Sequence, residues 1–208
     1  MKIFVAGASG RVGHKVVQEL VAAGHQVVAG SRNPDLAIAT EQIVPVKLDL
    51  HADSETIKPL LSEVEAIVFT AGSRGQDLLQ TDAYGPVKLM QLAQALGINR
   101  FVMLSALYTL EPSKWSEKLK NYYIAKFFAD NYLVNQTDLD YTIIQPGILV
   151  DEAGTGNVIL GEQGLTSIPI PDVAKVLATV VDQPNTYHQV IQINPGEHSI
   201  EQVFTELN

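Results

Sequence analysis

Residues 5–17 read VAGASGRVGHKVV, which puts glycine at positions 7, 10 and 13 and an arginine, Arg11, between the last two. The flanking residues decide what this run is. Before it, KIFVAG (2–7) is an apolar stretch of strand length; after it, RVGHKVVQELVAAG (11–24) repeats apolar side chains at Val12, Val16, Val17, Leu20 and Val21, the spacing of one helical face. HQVVAGS (25–31) is again apolar and rich in valine. Strand, glycine loop, helix and strand thus succeed one another within about 30 residues, the setting in which spaced glycines hold a dinucleotide. Gly7 permits the tight turn, Gly10 lets the backbone approach a pyrophosphate with no Cβ between, and Gly13 lets the helix lie close on the strand. The phosphates then rest on amides that the first helical turn leaves unpaired. Gly7, Ser9, Gly10, Arg11, Val12 and Gly13 are the candidate pyrophosphate positions.

The alternation continues outward. IVPVKLDL (43–50), AIVFTAG (66–72), RFVMLSA (100–106), DYTIIQPG (140–147) and YHQVIQI (187–193) read as strands. Helices are expected over DSETIKPLLSEV (53–64), capped by Asp53 or Ser54, from about Asp82 to Leu96 with a stop at Gly97, from about Trp115 to Val134, and from near Asp172 in PDVAKVLATVVDQ (171–183). GTGNVILGEQG (154–164) reads as a turn or hairpin, because it lacks the strand-to-helix setting of a second phosphate loop. Each parallel neighbour needs a crossover, so this order predicts an α/β fold: a doubly wound parallel sheet, one domain over residues 1–208 with a short C-terminal substrate region.

Composition narrows the function. A chain of 208 residues, 46% hydrophobic and 18% charged, builds one core. With no cysteine, thiolate catalysis, iron–sulfur clusters and cysteine-ligated zinc are excluded, and the five histidines show no metal-ligand spacing, so no metal site is expected. A formal net charge of −9 argues against nucleic acid as partner. No apolar run approaches the roughly 18 residues of a membrane span, and MKIFVAG is too short for a signal peptide, so a cytoplasmic location is expected. Oligomeric state stays open.

The second strand ends in VVAGSRN (27–33). Coenzyme sites selective for NAD place a carboxylate here to accept from the ribose hydroxyls; Gly30 and Ser31 stand there instead, followed by Arg32. A guanidinium fork and a hydroxyl suit a 2′-phosphate, and Arg11 adds a cation nearby, so NADP is expected over NAD. The alternative for Arg32 is a solvated side chain leading into the Asn33-Pro34 turn and paired with Asp35.

The segments GASGRVG, SRNP, LDL at Asp49, TAGS (70–73), RFVMLSA and DYTIIQPG resemble, over nearly the whole length, the atypical NAD(P)-binding members of the short-chain dehydrogenase/reductase superfamily, of Rossmann fold, the NmrA-like and flavin-reductase-like group. The resemblance implies that Asp49 and Leu50 touch adenine, that Ala71, Gly72 and Ser73 line the adenosine, and that Pro146 borders the nicotinamide. It also implies a catalytic Ser, Tyr and Lys. YYIAK places Tyr122 four residues before Lys126, on one helical face. In those roles Lys126 lowers the phenol's pKa and holds the nicotinamide ribose, and Ser105 hydrogen-bonds the substrate carbonyl.

The same spacing also serves ordinary packing, with Tyr122 half-buried and Tyr123 the more exposed neighbour. Where many members carry Asn in N-x-x-G, this chain reads DAYG with Asp82, expected to cap its helix. Tyr108 is a rival proton donor. The residues after Gly147 leave little for a lid, which disfavours a nucleotide-sugar epimerase and points to a small or flat substrate in an open pocket of Leu107, Tyr108, Trp115 and Ile148. Two readings stand: an NADPH-dependent reductase of a quinone, flavin or carbonyl compound, and a non-catalytic NADP sensor of the NmrA-like type.

Overall fold

In the computed structural model, which describes residues 1–207, the apolar runs become β1 (Lys2–Ala6), β2 (Gln26–Ser31), β3 (Ile43–Lys47), β4 (Ala66–Phe69), β5 (Arg100–Leu104) and β6 (Asp140–Pro146). They lie in spatial order β3-β2-β1-β4-β5-β6, every pair parallel. The helices that make the crossovers are α1 (Arg11–Ala22), α2 (Ser54–Ile57), α3 (Gly85–Leu96) and α4 (Lys120–Gln136). Beyond β6 follow β7 (Ile148–Val150), β8 (Asn157–Leu160), β9 (Ser167–Pro169), α5 (Ile170–Val180), β10 (Gln189–Pro195), β11 (His198–Ser199) and α6 (Ile200–Thr205). β10 extends the sheet in parallel beside β6, and β8 and β11 complete that edge antiparallel.

Side chains alternate across the sheet with the two-residue period of a strand. Ile3 and Val5 pack under α1, α5 and α6 with Val16, Leu20, Leu177 and Phe204. Phe4 and Ala6 point the other way, into the core with Leu89, Phe101 and Leu133 under α2, α3 and α4. Covering both faces makes the strands continuously apolar, as Ala66–Phe69 shows by being buried throughout. The strand order reverses between β1 and β4, so the loops after them diverge and open a crevice at the carboxyl ends of the strands.

Several boundaries differ from the sequence expectation. The helix expected from Asp82 is α-helical only from Gly85; Leu78–Tyr84 forms a π-helical segment ahead of it. α4 opens at Lys120 rather than Trp115, because Trp115 is extended, donates its indole N–H to the Tyr108 carbonyl at 2.9 Å and stacks on Tyr123. Asn157–Leu160, expected as part of a turn or hairpin, is a strand of the main sheet whose entry is fixed by Asp172: its carboxylate accepts from the amides of Thr155 and Gly156 at 3.0 and 2.8 Å. Asp53 caps α2 as expected, accepting from the Thr56 amide at 2.8 Å. Buried Arg100 joins the middle of the sheet to the end of α5 by donating to the carbonyls of Val180 and Val181 there and of Asp140 on β6, with the Tyr187 ring 4.7 Å from its guanidinium. Burial pulls its pKa down to about 10.

Candidate nicotinamide-coenzyme site

The loop between β1 and α1 is shaped by close contact. Gly7 has φ +91°, and a Cβ there would stand 2.6 Å from the Ala71 amide nitrogen after β4. A Cβ on Gly13 would stand 2.2 Å from the Gly7 carbonyl oxygen and 2.6 Å from Thr70 Oγ1; on Gly10 the gap to that carbonyl is 3.1 Å. The Gly10 amide turns back onto Gly7 O at 2.9 Å, and no side chain caps α1. The first-turn amides at Arg11, Val12 and Gly13 therefore point outward without an intrahelical acceptor, with Val12's side chain in the core. A cradle whose Gly7 and Gly13 have no room for a Cβ and whose helix N-terminus presents bare amides fits a pyrophosphate.

At the end of β2 lies a hollow of about 140 Å³ lined by Ala8, Ser9, His14, Ala29, Ser31, Asp35, Ile38 and Pro45. Gly30 takes no side chain, since a Cβ would meet the Phe4 ring at 2.7 Å; Ser31 is the residue that opens on the hollow. His14, one turn along α1 from Gly10, is a lining residue that the sequence reading passed over. Arg32 is exposed and does not pair with Asp35, whose carboxylate instead accepts from the Ala37 amide at 2.9 Å. The Asp77 carboxyl is held below the usual range by hydrogen bonds from Thr81 and His51 and, less, by the charge of Arg32.

Arg11, expected to add a cation near the 2′-phosphate, is exposed and pairs with Asp151 beyond β7 at 2.8 Å.

Asp49 is exposed and accepts from the His51 amide at 2.9 Å, and the carbonyl of buried Leu50 accepts from buried Lys88 at 2.9 Å. Across the crevice, Ala71 packs on the Gly7 turn and Gly72 is open. Ser73 donates both amide and hydroxyl to Asp82. Asp82 is therefore no helix cap: it is wholly buried inside the π-helical segment and ties the Ala71–Ser73 loop to it. Pro146 is buried at the end of β6 with its carbonyl accepting from Leu107 at 3.0 Å.

Ser105, Tyr122 and Lys126 come from the end of β5 and the face of α4. Lys126 is buried and donates to the Leu104 carbonyl at 3.1 Å; burial pulls its pKa down, against the charges of Asp130 and Asp82. Tyr122 is half-buried, as the packing alternative expected; burial, then the charges of Asp82 and Asp130, push its phenol up rather than down. Tyr123, expected to be the exposed neighbour, is buried at 8% exposure under Trp115, whose ring stacks on it at 5.8 Å. Ser105 is buried and donates its hydroxyl to Asp130 at 2.5 Å. Tyr108 is drawn aside: its hydroxyl donates to Glu162 at 3.1 Å, with Lys114 4.6 Å over the ring. Of the residues expected to line an open pocket, Leu107 is buried, Ile148 is exposed and Trp115 packs on Tyr123. The larger hollow, about 450 Å³, lies beside β10, with Leu110, Glu111, Gln145 and Gln192 among its walls.

A family model described as NAD(P)H-binding matches residues 7–184, from the first glycine of the cradle to the turn after α5. The chain belongs to this NAD(P)H-binding family. Within it, the chain is similar to YhfK of Bacillus subtilis (strain 168), which is named an uncharacterized sugar epimerase; the two are 34% identical over 100% of each. Its structure is similar to that of the oxidoreductase ylbE from Lactococcus lactis, at 37% identity, with a TM-score of 0.95, over 100% of this chain and 96% of that one. A short-chain dehydrogenase/reductase from Veillonella parvula DSM 2008, solved in complex with NADP, shares the fold at 15% identity and a TM-score of 0.74, over 96% of this chain and 97% of that one. The sheet of this chain is thus the Rossmann sheet of the NAD(P)H-binding family, and a nicotinamide coenzyme is what its cradle serves. No described helix is long and apolar enough to cross a membrane, and among the described residues no group of His, Cys, Asp or Glu is placed to hold a metal.

Proposed function

We propose that the chain is a cytoplasmic NADPH-dependent reductase that passes a hydride to a small acceptor, a quinone, flavin or carbonyl compound. The observation that carries the coenzyme choice is the Ser31 hollow: Ser9, His14 and Ser31 line it, exposed Arg32 follows Ser31 in the chain, and the Phe4 ring bars any carboxylate at Gly30. Asp35, the one acid on its wall, has its carboxylate engaged by the Ala37 amide. The bound nicotinamide supplies the hydride. The chain's residues do the rest: the first-turn amides of α1 hold the pyrophosphate, Asp49, Leu50, Ala71, Gly72 and Ser73 flank the adenosine, Pro146 borders the nicotinamide, Lys126 holds the nicotinamide ribose, and Ser105 and Tyr122 meet the acceptor. Oxidation of NADPH with a panel of quinones, flavins and dicarbonyls tests this, comparing wild type with Tyr122→Phe. Turnover with at least one acceptor is expected.

A second reading, the NADP sensor, draws support from Lys126, whose amine is tied to the Leu104 carbonyl while carboxylates face Tyr122. Tight NADPH binding with no turnover of any acceptor would select it.

A further inference from the structure

Asp130 has no part in the reading above, yet it is a fully buried carboxyl group beside the residues that do. It stands one turn beyond Lys126 and two beyond Tyr122 on α4. Its Oδ2 accepts from Ser105 Oγ and from Thr109 Oγ1, each at 2.5 Å, while its buried Oδ1 has no hydrogen-bond partner among the described residues. An ionised carboxylate with a bare buried oxygen is costly, and a neutral acid at the same place much less so.

The protons in this network can be counted. Gln145 Nε2 donates to Thr109 Oγ1 at 2.6 Å, so the Thr109 proton is directed at Asp130. Ser105 has one proton. While Asp130 is ionised, that proton also points at Oδ2, and Ser105 keeps only lone pairs for anything bound at the end of β5. Ser105 Oγ also lies 3.3 Å from Thr109 Oγ1, so once Oδ2 carries a proton and the acid donates to Ser105 Oγ, the Ser105 proton leaves Oδ2 for Thr109 Oγ1 or for an acceptor bound at the end of β5. Oδ2 retains a lone pair for Thr109 throughout.

The geometry points to Asp130 as a positioning residue that decides whether Ser105 offers a proton or a lone pair to a bound acceptor. This rests on the proposed reductase reading, because only an acceptor oxygen gaining negative charge distinguishes the two orientations. The groups facing Asp130 are Lys126 and Tyr122 from α4, Ser105 and Thr109 from the loop after β5, and Gln145 from β6, with Asp82 of the π-helical segment facing Lys126 and Tyr122. Burial pushes the Asp130 carboxyl up to about 6, against the hydrogen bonds of Ser105 and Thr109, the charge of Lys126 and, least, the Gln145 side chain, so both forms exist near neutral pH.

The test is a carbon-detected carboxyl titration of aspartate-labelled protein, with Asp130→Asn identifying the resonance. A midpoint near 6 is expected, moving upward in Ser105→Ala, which removes a donor from the carboxylate. A midpoint in the ordinary carboxylate range, or no movement in Ser105→Ala, overturns the proposal. Should Asp130→Asn fail to fold, the Ser105 and Thr109 amide resonances of wild type must report the same midpoint, and their failure to do so counts equally against it. Kinetics supply a second readout: with a quinone acceptor the wild-type rate falls about tenfold per pH unit above the midpoint, and Asp130→Asn is flat across that range. A flat wild-type profile overturns the role. If no acceptor turns over in any variant while NADPH still binds, it is the reductase reading that has failed, and the carboxyl titration alone decides the coupling of Asp130 to Ser105.

Discussion

Replacing Gly13 with alanine separates the close approach of α1 from every other property of the loop. The new Cβ would stand 2.2 Å from the Gly7 carbonyl oxygen, a backbone atom that cannot swing aside. Ordinary contact lies more than an ångström further out, so α1 must withdraw by roughly 1 Å, against the packing of Val16, Val17 and Leu20 on the sheet. Helix propensity alone would favour alanine by about 1 kcal/mol, and overpacking a rigid site costs about 3 kcal/mol, leaving a net loss of about 2 kcal/mol. At this chain length that lowers Tm by about 4–8 °C. Withdrawal also takes first-turn amides off the phosphates. Loss of one charge-assisted hydrogen bond, about 1.5–3 kcal/mol, weakens NADPH binding about 10- to 100-fold.

Thermal melts and calorimetric titration with NADPH measure both effects. Gly72→Ala is the matched comparison: its Cβ would stand 3.5 Å from Asp82 Oδ1, an ordinary contact, so stability should hold while binding weakens if Gly72 lines the adenosine. A Gly13→Ala protein that melts with wild type and binds NADPH equally well would refute the account of the cradle.

Arg32→Ala should weaken NADPH binding at least tenfold more than NADH binding, as titration of both coenzymes would show; equal losses contradict the 2′-phosphate assignment. Arg100→Met leaves the carbonyls of Val180, Val181 and Asp140 without their donor, and should cost about 3–5 kcal/mol in urea unfolding with coenzyme affinity per folded molecule unchanged. Asp130 binds its proton more tightly folded, at about 6, than unfolded, near 3.8. The folded state therefore holds the extra proton between those values, and the stability this gives is full below pH 3.8 and lost as pH rises through 6. The stability of wild type relative to Asp130→Asn should fall by about 3 kcal/mol across that window, and a constant difference contradicts it.

Much of the fold was legible because local and tertiary signals agree in the parallel sheet. Strands buried on both faces are uninterrupted apolar runs, and the glycine spacing around Gly7, Gly10 and Gly13 has a single structural use between a strand and a helix. The short strands β7, β9 and β11 carried no such signal, since two or three residues cannot show a period. Asn157–Leu160 was read within a turn or hairpin because the glycines around it dominated the pattern, whereas its pairing partners lie more than thirty residues downstream. Among site residues, Tyr122 and Lys126 were visible by spacing, but their surroundings were not: Asp82 and Asp130, which set the charge around both, arrive from a π-helical turn and from two helical turns away. The pairing of Arg11 was not legible because its partner Asp151 is distant in sequence. His14 had a signal that went unused, its place one turn beyond Gly10 on the face toward β2.

The aromatic ring pressed against Gly30 limits how such a chain changes coenzyme over evolutionary time. A carboxylate for an unphosphorylated ribose cannot arise at position 30 without carving up the hydrophobic layer around Phe4 and Leu48. The remaining doorway is Ser31, and an acid there would share a small hollow with Asp35, where two negative groups repel. A lineage switching preference must therefore change at least two positions together, so selectivity at this corner is held in place by core packing as much as by ligand contacts.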